Sequence, residues 1–178
     1  HQYPMGVTMS LVRRLNLLHL AHETGAWIVE DDYDSEFRFQ GKPLPALQGL
    51  DPSARVIYVG TLSKVLFPSL RIGYLVIPKT LITTFKAIRA FHDSFTPLLN
   101  QAALAEFIEH GHFASHLRRM RLLYQERQAC LIKSLQTNAS PWLSLEPSPA
   151  GMHLVALAKH PLDDVAFSEF ASAAGLVV

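Results

Sequence analysis

The sequence predicts an α/β protein: a mostly parallel sheet with one reversed strand, followed by a smaller α+β unit. Three observations lead there. A helical run, "TMSLVRRLNLLHLAHETG", stands between a turn and the strand-like "AWIVEDDYD", the order of a βαβ unit. Two β-rich runs, "RVIYVG" and "IGYLVIP", are joined by a link too short for a parallel crossover, which takes about a dozen residues or more. As neighbours they should run antiparallel. After a long helical stretch, the last third returns to short strands and a helix.

The elements follow in order. Leu11, Leu15, Leu18 and Leu20 have helical spacing, with Thr8 or Ser10 as cap and Gly25 as terminator. "AWIVEDDYD" begins apolar and ends acidic. Residues 55–60 and 72–78 are β-branched and aromatic. From Lys79 to about Thr137 the pattern is helical, broken at "SFTP" and "EHGH". "WLSLEPSPAGMHLVALA" reads as two short strands about a Pro/Gly turn, and "PLDDVAFSEFASAAG" as a helix ended by Gly175. Leu176–Val178 would open another strand. The expected division is 1–115 for the larger unit and 116–178 for an interdomain helix and the start of the smaller one.

Composition narrows the classes. The chain has 178 residues and is 49% hydrophobic, enough for a packed core and unlike a disordered segment. A net charge of +1 gives no argument for nucleic acid or an anionic membrane as the partner of this segment. The single cysteine, Cys130, excludes an internal disulfide and fits a reducing cytoplasm; it is expected to be buried and inert. No signal peptide and no membrane-length apolar run is visible. The opening "HQYPMG" and the closing "SAAGLVV" both read as cuts through folded material, so a fragment of a longer protein is expected.

The chemistry gathers at strand ends. Alternation on a strand puts Asp31 and Tyr33 on one side and Asp32 on the other. "VIYVGTLSK" places Thr61, Ser63 and Lys64 just past a strand. Ligands of parallel α/β sheets sit at the carboxyl ends of strands. If the two strands are neighbours, a carboxylate, a phenol, two hydroxyls, a lysine and Arg71 share one rim. An aldehyde cofactor with a phosphate and a basic ring nitrogen answers every group. Lysine forms a Schiff base, a carboxylate holds the ring nitrogen protonated, arginine and hydroxyls take the phosphate, and tyrosine donates to the phenolic oxygen. That cofactor is pyridoxal 5'-phosphate (PLP).

"HQYPMG", "IVEDDYDSEFRF", "PLPALQGLD" and "VIYVGTLSKVLFPSLRIGYLVIP" resemble the aminotransferase-like domain of MocR-type transcriptional regulators, a branch of the GntR family. The likeness continues through "PLLNQAALAEFIEHGHFASHLRRMR" and is weaker after about residue 137. Those regulators join an N-terminal winged helix-turn-helix to a domain similar to fold-type I aminotransferases. The resemblance implies part of a fold-type I large domain followed by part of the small domain. It implies Lys64 as the Schiff-base lysine, Asp31 at the pyridine nitrogen, Tyr33 at the phenolic oxygen, and Thr61, Ser63 and Arg71 at the phosphate. Fold-type I enzymes usually carry Asn-Pro-Thr-Gly where this chain has Tyr3-Pro4-Met5-Gly6. With Tyr3 in the asparagine's place, transamination should suffer more than cofactor binding. The implied partners are PLP, a small amine or amino acid, a second copy in a homodimer, and DNA through a domain outside this chain. The apolar loop Val65–Leu70 is expected at the dimer contact, since it would otherwise be exposed.

Plainer readings stand beside these. Asp32 and Asp34 would simply end the strand and begin a turn. Arg71 could be a structural ion pair and Tyr33 ordinary core. His112 and His116 have i, i+4 spacing, but no zincin pattern follows, so solvated helix histidines are expected. "LRRMRLLYQER" interleaves its charges with apolar residues and reads as an amphipathic surface helix, not a nucleic-acid patch. "GTLSK" lacks P-loop spacing. Two main functions follow: a sensor domain of a DNA-binding regulator, or a PLP-dependent aminotransferase of amino-acid metabolism. A cofactor-free dimerising relative is a third.

Overall fold

The computed structural model describes Gln2 and residues 5–92, 94–145 and 147–176. Helix α1 spans Leu11–Thr24; Ser10 caps it, its hydroxyl accepting from the Arg13 amide at 3.4 Å, and Gly25 ends it in the left-handed region at φ 71°. The next strand, β1 (Ile28–Asp32), pairs parallel with β2 (Val56–Thr61), which pairs antiparallel with β3 (Gly73–Val76). The sheet order is β1-β2-β3, with the reversed strand where the short link requires it.

Alternation gives this sheet two different faces. Ile28, Glu30 and Val56 face α1 and the short helix α2 (Leu47–Leu50), and a core of Leu18, Leu47 and Val56 forms there. Glu30 organises that side. Its carboxylate accepts from the amides of Leu47 (2.8 Å) and Gln48 (3.0 Å) at the start of α2, and from Arg14 Nη1 at 3.3 Å. A carboxylate at a helix N-terminus meets orphan N–H groups and the positive end of the dipole. On the same face, Gly60 lies under Tyr74, where an added Cβ would fall 2.3 Å from the ring and oblige it to move. The other face carries Val29 and Asp31, with Val59, Thr61 and Leu75 in register. Val29 is 65% exposed there.

A second core holds the loop after β2. Leu62, Val65, Leu70 and Ile72 are buried with Phe37, against Leu104 of α4 (Leu98–Glu109) and Phe113, Leu117, Met120 and Tyr124 of α5 (His112–Asn138). The loop Val65–Leu70 is therefore not an exposed apolar strip. Its ends anchor the core and only 67–69 stand out, Phe67 by 52%. Cys130 is exposed, against expectation. Its position on α5 faces away from Leu117, Met120 and Tyr124, so helical phase outweighs residue type.

Helix α3 (Ile82–His92) follows β3, and α5 leads to β4 (Leu143–Leu145), which pairs antiparallel with β5 (Ala156–Ala158). Helix α6 (Asp164–Ala173) starts at Asp163, whose carboxylate accepts from Val165 and Ala166 amides. Leu176 lies outside any strand, and Val177 and Val178 lie outside the described residues. The turn between β4 and β5 is tied to the segment after β1: Phe39 N–H donates to Pro149 O (2.9 Å) and Gly151 N–H to Phe37 O (2.7 Å).

Candidate cofactor site

The rim is built by three strand ends. Asp31 pairs in register with Val59 of β2, and Thr61 with Gly73 of β3, so Asp31 and Thr61 share the exposed face. Asp32 leaves β1 on the other. It accepts from Tyr58 Oη at 2.8 Å and binds Ser35 through both carboxylate oxygens. This is the turn-forming role expected of it. Burial, then the bond to Asp32, pushes the Tyr58 phenol well above its usual range.

Past β2 the chain closes a tight turn. The Leu62 amide donates to Ile72 O (3.0 Å), the Leu66 amide to Leu62 O (3.0 Å), and the Ser63 amide to Thr61 Oγ1 (3.2 Å). Leu62 and Val65 point into the core, which leaves Lys64 between them exposed. Arg71 follows a short 3-10 turn with φ 51° and ψ 41°. A non-glycine residue is rarely held left-handed, and such strain collects at functional sites. Among the described residues Asp31, Lys64 and Arg71 are exposed and have no hydrogen-bond or ion-pair partner. A carboxylate at the end of β1 and an ammonium and a guanidinium in the segment after β2 are thus unspent among the described residues. Tyr33 lies just beyond β1, its ring 6.1 Å from that of His153. Tyr3 lies outside the described residues.

Two residues differ from expectation. Asp34 begins a turn, as expected, its carbonyl accepting from the Phe37 amide at 3.0 Å, but its side chain does more. It is 1% exposed and its carboxylate accepts from the Met152 amide at 3.2 Å, holding the β4–β5 turn against the end of β1. Burial raises its pKa above the ordinary value. His112 is exposed, as expected, but His116 is half-buried and its Nε2 lies 2.8 Å from the Val65 carbonyl. Its signal was in the sequence: it stands one turn from Phe113 and Met120, on the apolar stripe of α5 rather than its charged side.

The mixed sheet with its one reversed strand and flanking helices defines an α/β fold. The family model for aminotransferase class I and II matches residues 2–176, and the chain belongs to that family. Membership implies a PLP site. Among curated proteins it is 51% identical over 163 residues to the probable rhizopine catabolism regulatory protein MocR of Rhizobium meliloti, covering 92% of this chain and 33% of that protein. It is 34% identical to the pyridoxine biosynthesis transcriptional regulator PdxR of Corynebacterium glutamicum, covering 92% and 35%. The kynurenine aminotransferase of Pyrococcus horikoshii, solved with PMP, superposes with TM-score 0.88 at 30% identity over 97% of this chain and 43% of that one. An archaeal alanine:glyoxylate aminotransferase gives 0.89 at 31%, over 99% and 44%. The chain spans about a third of the length of these regulators. Among the described residues, no helix is long and apolar enough to cross a membrane.

Proposed function

We propose that this chain is part of the PLP-binding sensor domain of a DNA-binding transcriptional regulator, and that Lys64 is the residue that holds PLP. The observation that supports it is a set of unspent charges at and just past the strand ends, Asp31, Lys64 and Arg71, with Thr61 and Ser63 in the same segment as the lysine. That set fits the cofactor group by group. Lys64 would hold PLP through its amine; when bound, the cofactor would supply an electrophilic aldehyde and an electron-withdrawing ring. Asp31 would hold the ring-nitrogen proton. Arg71 would donate to the phosphate from a backbone already fixed for it, with Thr61 and Ser63 hydroxyls beside it. Tyr33 would donate to the phenolic oxygen. The effector would be a small amine or amino acid, the assembly a cytoplasmic homodimer, and the DNA-binding part a winged helix-turn-helix outside this chain. The identity to MocR supports the regulator reading.

The aminotransferase likeness of the solved neighbours favours a second reading, steady-state transamination. A paired experiment on the full-length protein separates them: a gel shift on the protein's own upstream DNA with and without PLP and amines, and a turnover assay over common amino acids and keto acids. The sensor reading expects a ligand-dependent shift and poor turnover. Turnover of about 1–10 per second with no DNA shift under any condition would establish the enzyme instead.

A further inference from the structure

We propose that His116 is a positioning residue for Lys64, donating from its Nε2–H to the Val65 carbonyl and so fixing the turn that presents the lysine. The inference rests on the reading of Lys64 as the PLP-binding lysine and adds to it how that lysine is held.

The geometry is specific. A carbonyl oxygen only accepts, so the 2.8 Å contact requires the proton on Nε2. Val65 is 2% exposed, and a buried backbone carbonyl needs a partner. The turn supplies none for it: its internal bonds use the Leu62 amide and carbonyl and the Leu66 amide. His116 supplies the partner from a residue 51 positions away. The ring is itself braced, edge-on to Phe107 of α4 with centroids 6.5 Å apart. Lys64 is thereby pinned on both sides. Leu62 is held by Ile72, the residue just before β3, and Val65 from α5 through His116. Helix α5 is 27 residues long and runs on from His116 to Asn138, toward β4, so one rigid element joins the lysine turn to the C-terminal unit. A shift of that unit would reach Lys64 through this bond.

The test uses three full-length proteins: wild type, His116→Phe, which keeps a ring against Phe107 but has no donor, and His116→Gln, whose Nε2 amide can donate from a similar place. Two quantities are read. One is amide hydrogen exchange of residues 62–66 without PLP. The other is PLP affinity, with the pH midpoint of the bound cofactor's visible absorption. His116→Phe should speed exchange in 62–66, weaken PLP about tenfold, the worth of one hydrogen bond, and move the pH midpoint. His116→Gln should stay close to wild type in all three. Wild-type affinity and midpoint in His116→Phe would overturn the proposal while leaving Lys64's role intact. Equal losses in Phe and Gln would overturn it too, assigning the effect to ring packing. If wild type itself takes up PLP at another lysine, the functional reading fails first and the proposal with it, before any variant is compared.

Discussion

Replacing Arg71 with glycine should separate stability from binding. Arg71 is held at φ 51° and ψ 41°, where a non-glycine residue costs about 1–2 kcal/mol. Its side chain is exposed and has no hydrogen-bond or ion-pair partner among the described residues, so removing it breaks no such bond there. Glycine relieves the backbone cost but frees the unfolded chain by about 0.5–1 kcal/mol. The balance for Arg71→Gly runs from near zero to about 1.5 kcal/mol of added stability. Phosphate binding should change in the opposite sense. A hydrogen bond to a charged group is worth about 1.5–3 kcal/mol, so PLP affinity should fall by about ten- to more than a hundredfold. The assay pairs urea unfolding of the PLP-free full-length protein with a PLP titration. A loss of more than about 1 kcal/mol of stability would show that Arg71 is structural. Unchanged PLP affinity would show that it does not meet the phosphate. Either result refutes the reasoning.

Three further predictions concern other parts of the site. Asp31→Asn should weaken PLP strongly, because the ring nitrogen loses its proton partner, whereas Asp32→Asn should mainly cost stability through its bonds to Tyr58 and Ser35; a larger PLP effect at Asp32, by the same titration, would reverse the assignment. Asp34 has a pKa raised by burial from 3.8, so its contribution to stability is fully present below that value and is lost as pH rises through the native value. Asp34→Asn keeps an acceptor for the Met152 amide and should remove that loss, gaining on wild type at neutral pH; urea midpoints across the pH range check it, and a larger deficit at neutral than at acid pH would contradict it. The intact PLP-bound protein should sediment as a dimer at micromolar concentration, and monomers alone would count against the assembly.

Much of the framework could be read from residue patterns. The reversed β3 follows from the short link after β2, and the opposite faces of Asp31 and Asp32 follow from strand alternation, visible in Asp32 meeting Tyr58. Ser10 and Gly25 bound α1 where local capping chemistry puts them. What could not be read depends on distant contacts. Asp34 is buried because Met152, 118 residues away, donates to it. His116 is drawn inward by Val65, and the ends of the 65–70 loop by α4 and α5. Cys130 fails for another reason. Cysteine as a residue type favours burial, but phase decides exposure on an amphipathic helix.

The central claim is that Lys64 carries the cofactor, and the most direct measurement is chemical trapping. The full-length protein is loaded with PLP, reduced with borohydride so that the C=N bond becomes a stable amine, digested, and mapped by mass spectrometry. The account predicts one phosphopyridoxyl group, on the peptide containing "VGTLSKVLF" and on Lys64 within it. A label on any other lysine, or no label at saturating PLP, would contradict it.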